Sequence, residues 1–420
     1  MSTADINCPL TWQGVGDVTI FLGLVGLTLM EHGLVREGFS SHLLLKNWLQ
    51  FSVGIVAWWL LGYGFAFGNV PNSEFIGKKN FGGENWLQER DHNHGACASF
   101  FALCGFFVLF VINGAISERT KYHVYQWYAW WVMLFAWPVV VAWSWGRGWL
   151  DSELDKPLID IAGAINVHLF AGAFGLIGAI FLGPRTGRYS SSPSVFHMKF
   201  HVAYILGATL VILGIFGLNQ SLSPDGVSRG LSAVNTWICA GVSSIVSLKL
   251  LTIWSTDIHT HLIAIYQGFI AGMIAVSNSA YNTTPWQAGL LGLISGIFFV
   301  SGFYFCRLNK IDDVLNVTAT FFFPGILGGI LPGFITDDNG CFWQGISGHT
   351  LATQVVGVIV VTGWSMTWAA ILFGSMKIFN AFRLEKELEV SKLNNCEIRQ
   401  TGWKIPGEHG TKNDALENQS

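Results

Sequence analysis

DIAGAINVHLFAGAFGLIGAIFLG, residues Asp160–Gly183, decides how this chain is read. The stretch is almost wholly apolar, and ~24 residues of helix reach ~36 Å, enough to cross a bilayer. Yet it opens on a carboxylate and carries an imidazole eight residues on, at His168. A charge at mid-span costs roughly 2.5–3.5 kcal/mol on insertion scales, so ionisable groups persist there mainly where they face a cavity, a pathway or a partner. Gly163, Gly172, Gly175, Gly178 and Gly183 share the stretch. Small residues let neighbouring helices approach closely, which predicts a helix inside a bundle and away from lipid.

A second stretch repeats the pattern. From Asp313 the chain reads DVLNVTATFFFPGILGGILPGF. Asp313 to Phe321 is a step of eight, like Asp160 to His168, and Gly325 and Gly328 match Gly172 and Gly175 in spacing. Weak internal symmetry between two halves of an apolar chain is the mark of a transporter built from structural repeats. One half carries His where the other carries Phe.

Composition agrees. The 420 residues are 51% hydrophobic and only 12% charged, with a mean hydropathy of +0.45. Soluble domains carry about 25% charged residues, so this is an all-α polytopic membrane protein. A formal net charge of −3 gives no sign of nucleic-acid binding. The seven cysteines show no CxxC, which argues against a metal knuckle or a dense disulfide framework. Cys8 and Cys341 are both expected outside, where a bridge is conceivable. The N-terminus lacks the basic region and cleavage site of a signal peptide, so the first span is expected to act as the insertion signal.

Eleven stretches have spanning length: about 14–35, 47–68, 94–116, 125–145, 158–183, 200–219, 229–253, 261–277, 286–306, 315–335 and 351–379. With the N-terminus outside, seventeen of the 23 Lys and Arg fall on the inner side and six on the outer side. The positive-inside rule therefore puts the tail in the cytoplasm. Spans one to five and six to ten form two repeats, about 14–183 and 200–335. Five is odd, so the two repeats are inverted. A long eleventh helix, about 351–379, lies outside the symmetry. Residues 1–380 are thus one transmembrane domain and 381–420 a cytoplasmic tail, which opens on the charged amphipathic run RLEKELEVSKL.

The chain resembles the ammonium transporter family, in its Amt/Mep branch. The carriers are LLLKNWLQFSVGIVAWWLLGYGFAFG (43–68), NGAISERT (113–120), Asp160 to Tyr189 with its ending GPRTGRY, GIFGLN (214–219), AVNT (233–236), KIDD (310–313) and FRLEKELE (382–389). The resemblance runs collinearly from about Asp17 to Leu388. It implies eleven spans, a homotrimer in the plasma membrane, and one ammonium or ammonia pathway per protomer, with methylammonium as surrogate. It implies no metal and no cofactor.

In that family an outer Trp and Ser bind ammonium, two stacked Phe rings close the pore, two hydrogen-bonded His line the conduit, and an Asp supports the site. Carried over, the Asp is Asp160, the first His is His168 and the Trp is Trp145. Four positions depart. The gate Phe residues become Cys104 and Leu218, the Ser becomes Leu222, and the second His becomes Phe321.

Ammonium is a strongly hydrated cation, and crossing a dry conduit charged costs a large desolvation energy. Crossing as NH3 avoids most of that. A neutral His can accept a hydrogen bond from the substrate, and paired His can relay a proton. Aromatic faces attract the cation at the entrance. A Phe beside His168 can do neither job, so a two-His relay is not available. Either water or a hydroxyl such as Thr318 or Thr320 completes the path, or Phe321 plugs it. The bland readings are a core His bonded to a carbonyl, an interfacial Trp, and Asp160 as a cap on the helix that follows, at Ile161–Gly163; Asp313 is expected to belong to the pathway. His92, His94, His259 and His261 read as surface or interfacial side chains. The expected function is an ammonium/ammonia transporter or channel with a single-His conduit. The alternative is a non-conducting ammonium sensor on the same scaffold. An enzyme would need a nucleophile–base or metal constellation, and none is visible.

Overall fold

A computed structural model describes residues 10–36, 40–68, 75–84, 86, 94–189, 196, 198–223, 225–253, 255–335 and 348–390. Cys8, His92, Cys341 and the tail beyond 390 lie outside the described residues. Among the described residues, eleven helices are long and apolar enough to cross a membrane. They are α1 (Trp12–Leu34), α2 (His42–Phe67), α3 (His94–Ile116), α4 (Tyr122–Trp143), α5 (Ala164–Leu182), α6 (His201–Ser221), α7 (Gly226–Thr252), α8 (Ile258–Val276), α9 (Pro285–Leu308), α10 (Thr318–Ile335) and α11 (His349–Ile378). No strand occurs among the described residues beyond one isolated bridge, Thr120 with Arg383.

The first helices of the two halves, α1 and α6, pack along each other, and the last, α5 and α10, cross at the centre. Each crossing helix leaves a gap for its partner's backbone. A Cβ on Gly172 of α5 would stand 2.5 Å from the Phe322 nitrogen, and one on Gly325 of α10 would stand 2.8 Å from the Leu169 nitrogen. Only glycine permits this approach, and dispersion between close-packed backbones then holds the crossing where hydrophobic expulsion cannot act. The spacing shared by the two sequence stretches is thus the geometry of one reciprocal contact.

Where α5 begins differs from the expected 158–183. Gly163 adopts φ 77° and ψ 26°, a left-handed conformation that ends any helical run through it, so the helix starts at Ala164. The cap is displaced with it. The Asp160 carboxylate accepts from the amides of Ile165 (3.2 Å) and Asn166 (2.8 Å), and does not cap Ile161–Gly163. The second half copies the device. Asp313 accepts from Val317 (2.9 Å) and Thr318 (2.7 Å), and Asn316, three residues after Asp313 as Gly163 is after Asp160, has φ 52°. Both helices then open on a widened π-helical turn, Ala164–Leu169 and Thr318–Phe322. Such turns recur at functional sites because they re-aim side chains.

Charges gather at the ends assigned to the inner side. Glu118 pairs with Arg36 (2.7 Å) and Arg185 (2.9 Å), and Arg185 pairs with Asp312 (2.8 Å). The Arg119 guanidinium gives a hydrogen bond to the Asp312 carbonyl oxygen at 2.5 Å. After α11 the chain turns back as a strap. Its Arg383 donates to the carbonyls of Leu182 and Pro184, both at 2.8 Å, and pairs with Glu389 at 2.9 Å. Glu389 in turn accepts from the Thr186 amide at 2.6 Å.

Candidate functional site

The π turn of α5 presents His168 to the centre of the molecule, fully buried. Neither ring nitrogen has a hydrogen-bond partner. The π turn of α10 presents Phe321 to the same place. The two rings are stacked, centroids 5.9 Å apart and planes inclined by 30°. Phe107 of α3 closes the third side, 5.7 Å from His168 and 6.2 Å from Phe321, nearly edge-on to each. A neutral imidazole keeps one donor and one acceptor. Here neither is used, and the two rings packed against the imidazole, Phe321 and Phe107, offer no lone pair and no acidic proton. Each buried polar atom without a partner calls for an explanation. Thr318 and Thr320, on the same turn as Phe321, are also buried, and the Thr320 hydroxyl has no partner.

At one end of this trio lies the helix start of α5. The Asp160 carboxylate is 4% exposed and spent on two backbone amides. Its carbonyl accepts the Trp145 indole proton at 2.5 Å, which locks the indole beside the helix start. Asn278 completes the knot, its Oδ1 accepting from Ala162 (3.3 Å) and its Nδ2 donating to the Ile159 carbonyl (3.2 Å). Trp145 lies 5.2 Å from Phe101, which lies 4.6 Å from Phe67. A run of three aromatic rings therefore leads from the start of α5, and aromatic faces favour a small cation through ring quadrupoles.

The positions that departed from the family pattern are filled as follows. Cys104 is a fully buried free thiol one helical turn before Phe107. Leu218 is 1% exposed on α6, and Leu222, half-buried, ends that helix. The serines flanking Leu222 donate to backbone, Ser221 to Gly217 (2.6 Å) and Ser223 to Asn219 (3.2 Å). Asp313 lies beneath α10 as Asp160 lies above α5. Phe101 and Phe107 escaped the sequence reading. The only trace of Phe107 is its place three residues after Cys104, in a run that also holds Phe100, Phe101, Phe106 and Phe110.

Beneath Asp313 a cavity of about 470 Å³ opens, bordered by Asp257, His259, Arg307, Asp313 and Asn316. His259 is bonded to His201 at 3.0 Å, and His94 is buried with its Nδ1 2.8 Å from the Tyr63 hydroxyl. His94 is thus buried against Tyr63, while His259 stays half-buried at a helix end beside His201. No cluster of three or more His, Cys, Asp or Glu that could hold a metal occurs among the described residues.

A family model described as Ammonium Transporter Family matches residues 12–403. The chain is 26% identical over 399 residues to "Ammonium transporter 3" of Dictyostelium discoideum, covering 90% of this chain and 89% of that protein. It is 28% identical over 402 residues to "Ammonium transporter 1 member 3" of Oryza sativa subsp. japonica, covering 86% and 79%. A solved structure named "Sensor Amt Protein" superposes with a TM-score of 0.81 over 93% of this chain and 98% of that one, at 24% identity, which establishes a common fold.

Proposed function

The chain belongs to the Ammonium Transporter Family, a family of membrane transport and not of enzymes, and we propose that it conducts ammonia past one imidazole. Ammonium is attracted to the aromatic rings Trp145, Phe101 and Phe67 beside Asp160. It gives up its proton to the water outside, crosses as NH3, and takes up a proton again from the water on the other side. His168 then offers the hydrogen bond that a lone NH3 needs in an apolar passage. The carrying observation is the pair of unpartnered nitrogens of His168, on a fully buried ring packed against Phe107 and Phe321. An empty apolar slot would suit any small gas. An orphan imidazole suits a small molecule that both donates and accepts.

Roles follow. Trp145 and Asp160 form the entrance, with Leu222 taking the place of a hydroxyl. Cys104, Leu218 and Phe107 line the narrowing, Phe321 faces His168, and Thr318 and Asp313 lead to the inner cavity. The functional unit is a homotrimer in the plasma membrane, with N-terminus outside and tail in the cytoplasm. The domain reads as residues 1–380 and the tail as 381–420. The test is uptake of labelled methylammonium by cells lacking their own transporters. Uptake that His168→Ala abolishes supports conduction, and uptake indifferent to it overturns the role of His168.

A second reading has its own support. The rings of Phe107, Phe321 and His168 meet one another, and the strap ties the α5 end to the tail through Arg383 and Glu389. A closed conduit with a tethered tail suits a sensor, and the superposing "Sensor Amt Protein" carries that word in its name. Ammonium binding without uptake by the same cells would select it.

A further inference from the structure

A cavity of about 440 Å³ opens between the ends of α5 and α11 and the strap that follows α11. Lys121, Lys377 and Arg383 border it with one carboxylate, Glu385, while Phe181 and Phe382 supply aromatic walls. The fold already uses part of this charge. Arg383 is engaged by two carbonyls and by Glu389. Lys121 gives one hydrogen bond to the Asn380 carbonyl, at 2.8 Å, and Lys377 stands over the Phe181 ring, 5.7 Å from its centroid. Neither lysine has a carboxylate partner among the described residues. An ammonium carries three donors, so both lysines keep protons for an acceptor that the chain does not provide.

The surroundings say what kind of acceptor. Ile378 and Phe379, directly after Lys377, are each 79% exposed. Large apolar side chains at the end of a spanning helix belong among acyl chains, and lysines beside them belong at headgroup level. Aqueous anions have no use for such apolar flanks. We propose that this cavity holds the phosphate headgroup of an anionic phospholipid of the cytoplasmic leaflet. Lys121 and Lys377 grip the phosphate, Phe181 and Phe382 line the glycerol, and Ile378 and Phe379 meet the tails. The assignment rests on the inward tail orientation proposed above, because anionic lipids concentrate in that leaflet. It does not rest on ammonia conduction.

The test is native mass spectrometry of the full-length protein purified with mixed phosphatidylcholine and phosphatidylserine. The wild type is expected to retain phosphatidylserine in preference by roughly thirtyfold, the size two lysines near a membrane surface supply. Lys121→Gln combined with Lys377→Gln should erase the preference. Lys377→Gln alone breaks no hydrogen bond of the fold and should remove about half of it on a logarithmic scale, taking equal shares for the two lysines. Lys249→Gln, at the end of α7, should leave it intact. A double variant that keeps the preference, or a wild type that has none, overturns the proposal. So does inorganic phosphate that binds with the same lysine dependence and displaces the lipid, since the occupant would then be a soluble anion. Lipid retention is read without any transport assay, so either outcome leaves the conduction reading where it stands.

Discussion

The imidazole of His168 stacks on the benzene ring of Phe321, 5.9 Å between centroids, at the centre of a protein whose two halves supply one ring each. The contact has a direct chemical consequence. A proton on His168 has no lone pair across from it to move to. A neutral molecule can pass such a pair, but a proton cannot be handed along it. On the conduction reading, transfer through this chain is therefore neutral, and bilayers containing the protein should carry ammonia-driven pH changes without a matching current. A current proportional to flux would overturn neutral transfer.

Phe321→His places a second imidazole against the first. One added hydrogen bond is worth about 1 kcal/mol net, so a rate limited at this point should rise roughly fivefold. Labelled methylammonium uptake reads the gain. An unchanged rate would locate the limiting step elsewhere, at Phe107 or at the outer rings.

Phe107→Leu removes the ring edges that face His168 and Phe321 while keeping an apolar side chain. Shape-conserving swaps in packed interiors cost less than about 1.5 kcal/mol, although loss of a ring lies at the upper end of that range. The variant should fold and should conduct faster than wild type if the three rings are the closure. Should uptake fall in step with folded protein, Phe107 is packing and nothing more.

Much of this was legible in the sequence, for identifiable reasons. The eleven spans follow from hydropathy, which reports burial in lipid whatever the tertiary detail. The Asp160–His168 and Asp313–Phe321 spacing also survived, because a reciprocal helix crossing imposes the same glycine intervals on both strands of sequence. What could not be read was local backbone shape. The left-handed Gly163 and Asn316 shift the helix starts, and a glycine or asparagine in an apolar run does not announce its φ. Phe107 was hidden among its own kind. The belt of Arg36, Glu118, Arg185 and Asp312 joins residues far apart in the chain, and nothing in the spacing of isolated charges predicts such pairing.

Asp160→Asn tests the start of α5. The carboxylate accepts from Ile165 and Asn166, and hydrogen bonds to a charged acceptor are worth about 1.5–3 kcal/mol. An amide keeps one acceptor oxygen and should lose part of that, lowering the thermal midpoint in detergent. Asp313→Asn should do the same at α10, with a similar drop. If Asp160→Asn abolishes uptake while Asp313→Asn spares it at equal folded protein, the upper carboxylate serves the cation and the lower one only its helix.

The belt of Arg36, Glu118, Arg185 and Asp312 makes stability depend on acid. Burial alone would raise the Asp312 carboxyl, but the Arg185 and Arg119 guanidiniums outweigh it and hold that carboxyl well below the usual carboxylate range. A group whose folded value is depressed stabilises the fold above its unfolded value, and that share is lost as pH falls toward the folded value. Removing one partner of a buried pair costs about 3–5 kcal/mol, with the lower end expected here because Arg185 keeps Glu118. The detergent-solubilised wild type should therefore lose thermal midpoint steadily as pH drops from about 5 to 3, the range in which an unfolded Asp takes up its proton. Asp312→Asn should start lower at neutral pH and fall less steeply across the same interval. Parallel slopes for the two proteins would place the acid sensitivity in other carboxylates, and would leave Asp312 with a steric role at the foot of α10.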